Sequence, residues 1–337
     1  MKINRKHWLI ITIICLSVII LGACGGDEEA DANSGAAKKT FKIGLITDPS
    51  HMWTKAAEKF KEEIEKRSEG EMTLEVFPSG QLGNESAMLQ QIESGSLDFG
   101  FITAVELSSR EKAFSAWFAP YLFETIMDAQ EASDTDVAKE MLGTLDKYGL
   151  LGLDYLFAGQ RVMLFKDKKV QGPEDMEGMV LRVTPGPPML EFYEFTGAST
   201  EGMPLTEVYS AAQMGVIDGM DMDLDATITN KYFEVVNYAA VTNHMVWPSV
   251  AVVNKDTFES LSEEEQKIIK KSLEIASDYA VKTRSSKEEE FRQTLKDKGM
   301  TVYELDKNVF TKQIQKFDEK YKQQGELIKK FITKFRN

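Results

Sequence analysis

Apolar and polar positions from Phe41 onward change period again and again along the chain. "FKIGLIT" (41–47) is an apolar run of strand length, and Trp53, Ala56, Ala57, Phe60 and Ile64 follow at the spacing of one helix face. "GEMTLEVFPSG" (70–80) alternates and ends in a turn. "NESAMLQQIESG" (84–95) reads as a helix stopped by Gly95, and "SLDFGFITA" as the next strand. Residues 111–150 read as helical with a break near Pro120. The apolar stretch 149–166 predicts two strands with Gly159 between them. "PMLEFYEFTGA" predicts a short helix, and "TEVYSAAQMGVIDGMDM" a helix, a glycine stop and a strand. "HMVWPSVAVVN" carries a further strand. Residues 262–299 then predict one long amphipathic helix, with Ser262 as its cap and an acidic first turn. "MTVYEL" is a strand, and the tail from Asn308 reads as helical. Alternating strands and helices predict an α/β class, and no internal repeat is present.

One position stands out in this pattern. In "GMVLRVTPG" (178–186), alternation puts Met179, Leu181 and Val183 on one face of a strand and Val180, Arg182 and Thr184 on the other. A guanidinium inside an apolar run has three partners open to it: solvent, an internal carboxylate, or a ligand anion.

The N-terminus sets the compartment. Lys2, Arg5 and Lys6 precede an uncharged apolar stretch from Trp8 to Leu21, which ends at small residues. That is the layout of an export signal, 1–23, and the stretch is short for a membrane span. "LGAC" resembles the lipobox of bacterial lipoproteins, which implies cleavage before Cys24 and lipid on its sulfur; an uncleaved anchor is the alternative. Cys15 leaves with the signal, so no internal disulfide is expected. Residues 24–40, almost without large apolar side chains, read as a tether.

Charge and motifs narrow the chemistry. The net charge is −14, and removal of the three signal cations makes the mature chain near −17, a poor match for nucleic acid. An anionic ligand would need a local positive pocket against this field. No HExxH, Cys/His cluster, GxSxG, P-loop or GxGxxG occurs, so no metal, cofactor or enzyme activity is expected. Asp221, Asp223 and Asp225 have the spacing of the start of a calcium loop, but Ala226 and Tyr232 stand where such a loop needs Gly and Glu. Turn and capping aspartates fit better. Trp117, Phe118, Tyr121 and Phe123 read as core, while Trp247 reads either as core or as a cleft wall.

Four segments in order resemble one family, the DctP-like solute-binding proteins of tripartite ATP-independent periplasmic (TRAP) transporters. They are "FPSGQLGNESAMLQQIESGSLDFGF" (77–101), "GPEDMEGMVLRVTP" (172–185), "GASTEGMPLTEVYSAAQMGVIDGMD" (197–221) and "KYFEVVNYAAVTNHMVWP" (231–248). The resemblance implies a two-lobed periplasmic-binding-protein-like α/β fold, with a ligand cleft between the lobes and a long helix spanning both. It places lobe I at 41–158 plus 248–287 and lobe II at 159–247 plus 288–337. It implies capture of a small carboxylate, hinges near 158–161 and 247–249, a monomer, and delivery to a small and a large membrane subunit. Arg182 falls on the family's carboxylate-clamping arginine. Arg161 aligns with a further cleft arginine, with hinge packing as its competing role. Glu85 and Thr103 match polar contacts, while His51, Trp53 and Trp247 stand where further contacts can come from. Met222 replaces a ligand-contacting Asn, which with Trp247 tilts the expectation toward an apolar or aromatic acid. A binding protein of an ATP-driven transporter, a sensor-only lipoprotein and an extracellular hydrolase are the rival readings.

Overall fold

The computed structural model describes residues 38–336. The export signal, the lipidation site Cys24 and nearly all of the tether lie outside them. Among the described residues no helix is long and apolar enough to cross a membrane. The strands are β1 (Lys39–Gly44), β2 (Met72–Phe77), β3 (Phe99–Thr103), β4 (Leu150–Phe165), β5 (Val180–Val183), β6 (Ser199–Gly202), β7 (Gly219–Asp223), β8 (Tyr238–Val241), β9 (Val246–Asn254) and β10 (Thr301–Glu304). β1 starts two residues inside the expected tether, because Lys39 and Thr40 already pair with Met72 and Thr73 of β2.

The strands form two sheet halves joined through β4. In lobe I, β1 lies parallel between β2 and β3, and β9 runs antiparallel between β3 and β4. In lobe II, β7 and β8 pair antiparallel with β4, β5 lies parallel between β7 and β6, and β10 pairs with β8. The two strands expected over 149–166 are thus one strand that serves both lobes. Its first half pairs with β9 and its second with β7 and β8, and a register shift between Phe157 and Gln160 marks the crossing.

Gly159 at that irregularity has φ +147°. A Cβ there would come within 2.9 Å of the Arg284 guanidinium. Arg284 Nε donates to the Ala158 carbonyl (2.9 Å) and Nη1 to Glu288 (2.6 Å). The crossing is therefore tied to the long helical segment. That segment is two helices, Glu263–Ser286 and Glu288–Asp297, rather than the single one expected. They meet at Lys287, whose N–H bonds three residues back to Arg284 O (3.1 Å). Ser285 and Ser286 are weak helix formers. The two helices also bury different faces: Ile269, Leu273, Ala276 and Ala280 join the larger core, while Phe291 and Leu295 join a second cluster with Met220 and Val241.

The last helix, Glu326–Phe335, was expected with lobe II. Its aromatic face packs on lobe I instead: Phe331 sits on Trp117 (centroids 4.6 Å) and Phe335 on Phe123 (5.3 Å). The aromatic run around residues 117–123 is thus core, as its composition indicates.

Candidate functional site

Open α/β sheets bind ligands beyond the carboxyl ends of their parallel strands. Here β1, β3, β5 and β7 all end at one cavity between the lobes. Ile46 and Thr47 follow β1, Thr103 ends β3, Arg182 and Thr184 mark the end of β5, and Met222 and Asp223 end β7. The cavity measures about 390 Å³. Arg182, Arg161, Glu85, Thr103, Met222, Trp247, His51 and Trp53 all line it.

Arg182 is buried, with about 1% of its surface exposed. Leu181, Arg182 and Val183 are all buried, so both faces of β5 are covered, as in parallel sheets flanked by crossover helices, which removes the solvent-facing reading of its alternation. Nε and Nη2 donate to the Met203 carbonyl (3.1 and 2.7 Å) and Nη1 makes a long contact to Asp221 O (3.5 Å). No carboxylate among the described residues forms an ion pair with it, so the internal-partner reading falls too. Burial pushes its pKa down to about 10, which still leaves it charged at neutral pH. The site thus holds a desolvated cation whose hydrogen bonds go to carbonyl oxygens, with Asp221 and Glu85 acting on its charge only from beyond ion-pair distance.

Arg161 lines the same cavity in a different state. β4 pairs with β7 so that Arg161 lies opposite Asp223, with Asp221 two residues along on the same face. Arg161 is ion-paired to Asp221 and to Asp223 (Nη1, 3.3 Å). Its guanidinium carbon sits 3.9 Å from the Trp247 ring centroid, so one face of that ring is already covered. Asp221 also accepts from Tyr193 OH (2.7 Å) and from His244 Nε2 (3.0 Å). Burial would raise the Asp221 pKa, but Arg161, His244 and Tyr193 outweigh it and hold it below the usual carboxylate range. Asp223, held down to about 2 against its burial by His51 and Arg161, also caps the helix Leu224–Thr229 through Ala226 N–H (2.8 Å). Asp218 accepts from Val180 N–H (2.8 Å). The aspartate string is therefore spent on an ion-pair network, a cap and a strand contact. Arg161 is a neutralised floor of the cavity, with no net charge left for a second anion.

The lobe I wall is acidic. Glu85 accepts from Thr103 N–H (2.7 Å) and from the Thr103 hydroxyl (3.0 Å). Thr103 also caps the helix Ala104–Ser108 through Glu106 N–H (3.3 Å), so its hydroxyl is engaged on both sides. His51 caps the helix Met52–Arg67 by accepting from Trp53 N–H at Nδ1 (3.2 Å), and Met52 N–H donates to Asp225 of lobe II (2.8 Å). His51 Nε2 faces Asp223 and Asp225 (3.9 and 3.8 Å), and although burial would lower the ring's pKa, these two carboxylates outweigh it and raise it. Trp53 is buried, and its Nε1 has no acceptor among the described residues. Thr47, Ser86, Glu106 and Thr184 also line the cavity and were missed in the sequence. Only Glu106 left a signal: Thr103-x-x-Glu106 has the form of a capping box.

Burial raises the Glu85 pKa from 4.5 to about 7; the bonds from Thr103 and the charge of Arg182 work the other way, and Glu106 adds to the rise. Its folded pKa thus lies above the unfolded one. Between pH 4.5 and 7 the unfolded chain has shed this proton and the folded chain has kept it, so stability falls as pH rises through this window. Glu85→Gln keeps an acceptor for Thr103 N–H and removes the charge. It is expected to melt higher than wild type at pH 8, by up to about 3 kcal/mol, and alike at pH 4.5. Equal melting at both pH values would count against a strained Glu85 charge.

Known proteins are similar to this chain over most of its length. The family model "Bacterial extracellular solute-binding protein, family 7" (DctP) matches residues 43–327. The 2,3-diketo-L-gulonate-binding periplasmic protein YiaO of Escherichia coli is 26% identical over 84% of the chain and 86% of its own length. The sialic acid-binding periplasmic protein SiaP of Vibrio cholerae is 28% identical over 84% and 88%. A crystal structure of a TRAP periplasmic solute-binding protein from Sulfitobacter, with bound β-D-galacturonate, superposes with a TM-score of 0.84 at 26% identity, covering 89% of this chain and 100% of that one.

Proposed function

The chain belongs to family 7 of the bacterial extracellular solute-binding proteins, and from that premise we propose that Arg182 clamps the carboxylate of its solute while the lobes close over it. The observation that carries this reading is the state of Arg182: buried, charged, lining the cavity and without a carboxylate of its own. The planar guanidinium suits a carboxylate because it offers two parallel N–H donors. Removal of water from a closed cleft strengthens that pair. The relatives named above are described as binding sugar-derived and sialic acids, which is consistent with an organic anion here.

The mechanism is a two-state closure biased by contacts the ligand makes to both lobes. The division is 41–158 plus 248–287 against 159–247 plus 288–325, with the last helix riding on lobe I. The hinges are the β4 crossing near 158–161 and the start of β9 near 247–249. The solute leaves chemically unchanged and passes to the small and large membrane subunits of a TRAP transporter. The protein acts as a monomer, held at the membrane by lipid on Cys24.

A thermal-shift and calorimetry panel of organic acids, with neutral sugars as controls, tests the reading. An acid at a hundred times its dissociation constant adds about 2.7 kcal/mol, enough to raise the melting midpoint by several degrees. Response to neutral sugars alone would overturn it. Closure has its own test at Gly186, between β5 and the helix Pro187–Glu194. A Cβ there would stand 2.8 Å from the Val105 carbonyl of lobe I. Gly186→Val is expected to weaken acid binding by about tenfold or more, the cost of overpacking, and to suppress ligand-induced compaction in small-angle scattering. The ligand-free midpoint should stay near wild type, because open lobes relieve the clash. Unchanged compaction would argue that this contact does not take part in closure.

A further inference from the structure

Glu106 shows which acids the cavity selects. A Thr-x-x-Glu pair at a helix start normally closes a capping box, with the Glu carboxylate taking the N–H of the cap residue. Half of that box is present: Thr103 Oγ1 accepts from Glu106 N–H (3.3 Å). The other half is taken, because Thr103 N–H donates to Glu85 (2.7 Å). Glu106 is thereby released from capping. It lines the cavity, half-buried, and forms no ion pair among the described residues.

The cation count of the lining decides what can enter. Arg161 is committed to Asp221 and Asp223. His51 Nε2 faces Asp223 and Asp225. Among the described residues, Arg182 is the lining cation that has no carboxylate within ion-pair distance. Glu85 senses both Arg182 and Glu106 electrostatically, so the free cation and the two lobe I carboxylates belong to one small space. A first ligand carboxylate has Arg182 to meet. A second would find no free cation and two acidic side chains.

Resting on the Arg182 reading, we infer that Glu106 is a specificity-determining residue: it accepts a hydrogen bond from a hydroxyl or amino group of the ligand and repels a second carboxylate. The solute is then a monocarboxylate with a donor-bearing tail. Charged acceptors next to an anion site discriminate by repulsion as well as attraction. A site built to bond a ligand hydroxyl also rejects the analogue that lacks it. The apolar wall formed by Trp53, Leu205 and Met222 covers the carbon skeleton of the tail.

The test uses the purified full chain and acids matched in skeleton, measured by calorimetry: threonate with tartrate, gluconate with glucarate, and butyrate as the deoxygenated probe. In wild type, the hydroxylated monocarboxylate of the responding pair is expected to bind at least about thirtyfold tighter than its dicarboxylate and than butyrate. Glu106→Gln should lower the mono-to-dicarboxylate ratio at least about tenfold, since the amide still accepts but no longer repels. Glu106→Ala should lose the hydroxylated acid and spare butyrate, a pattern that simple loss of fold would not give. If dicarboxylates bind as well as monocarboxylates, or if neither variant moves the ratio, this inference is overturned while the Arg182 clamp stands. No response to any acid overturns the clamp and this inference together.

Discussion

Arg182→Ala is expected to abolish measurable carboxylate binding while leaving the ligand-free fold nearly as stable as wild type. Truncating one partner of a buried, hydrogen-bonded charge pair costs about 2–5 kcal/mol of affinity, roughly 30- to 5,000-fold. The upper part of that range applies, because Arg182 is the one lining cation without an internal carboxylate among the described residues. Arg182→Lys keeps the charge and loses the fork. Losing one charge-assisted hydrogen bond, worth about 1.5–3 kcal/mol, predicts a roughly tenfold to hundredfold weaker complex.

The small change in ligand-free stability follows from two opposed effects. Removing the side chain deletes a desolvated cation, which favours the fold. It also strands the Met203 carbonyl, which otherwise accepts from Nε and Nη2; an unpaired buried acceptor costs about 1–3 kcal/mol. The pH dependence adds a check. Burial lowers the Arg182 pKa, yet a guanidinium stays charged throughout the working range, so affinity should hold level from about pH 6 to about pH 9. Undiminished binding by the alanine variant would remove the clamp from the mechanism.

What the sequence could show of this site depends on the range of the interactions. The strand period and flanking turns located Arg182, and the order of four motifs located the cleft around it, because both are local patterns. The state of the arginine was not local. It depends on the layers packed on both faces of β5, and on no carboxylate among the described residues lying within ion-pair distance of it. Arg161 shows the same limit. Its sequence context gave no means of pairing it with Asp221, 60 residues on, and only the β4–β7 register puts Arg161 opposite Asp223. The aspartate string looked like turn chemistry because its partners lie on other elements. The capping signal at Ser262 was reliable, since it caps the helix it precedes. The Thr103-x-x-Glu106 pattern was passed over, and would have been only half informative: Glu85, brought in from 18 residues upstream, takes the place that Glu106 would fill. The helix break at Lys287 was missed because amphipathic periodicity continues through it while the buried face passes from one cluster to another.

The second large effect belongs to the other arginine's partner. Asp221→Ala is expected to lower the stability of the ligand-free protein by about 3–5 kcal/mol, the usual cost of breaking a buried charge pair from one side. At roughly 2–4 °C per kcal/mol, that moves the melting midpoint down by about 6–20 °C. Asp221 is fully buried and takes donors from Arg161, Tyr193 and His244. Its loss leaves Arg161 with Asp223 as its one carboxylate among the described residues, and leaves the Tyr193 hydroxyl and His244 Nε2 only each other, 3.3 Å apart, while His244 Nδ1 keeps Thr242 (2.7 Å). Asp221→Asn keeps the shape and one acceptor, so it should fall between the alanine variant and wild type. The acid limb of stability reports on the same network. Asp223, lowered from 3.8 to about 2, contributes stability that is fully present above pH 3.8 and is lost as pH falls toward 2, about 2 kcal/mol in all. Asp223→Asn should therefore flatten the loss of stability between pH 4 and pH 2. The two arginines then separate by experiment as they do by structure. Variants at Arg182 lose the ligand and keep the fold, because its charge is compensated only when an anion enters. Variants at Asp221 lose the fold first, because Arg161 is compensated from within. An Asp221→Ala protein that melts within 2–3 °C of wild type would show that Asp223 alone suffices for Arg161, and would leave the floor of the cavity far less constrained than its hydrogen bonds indicate.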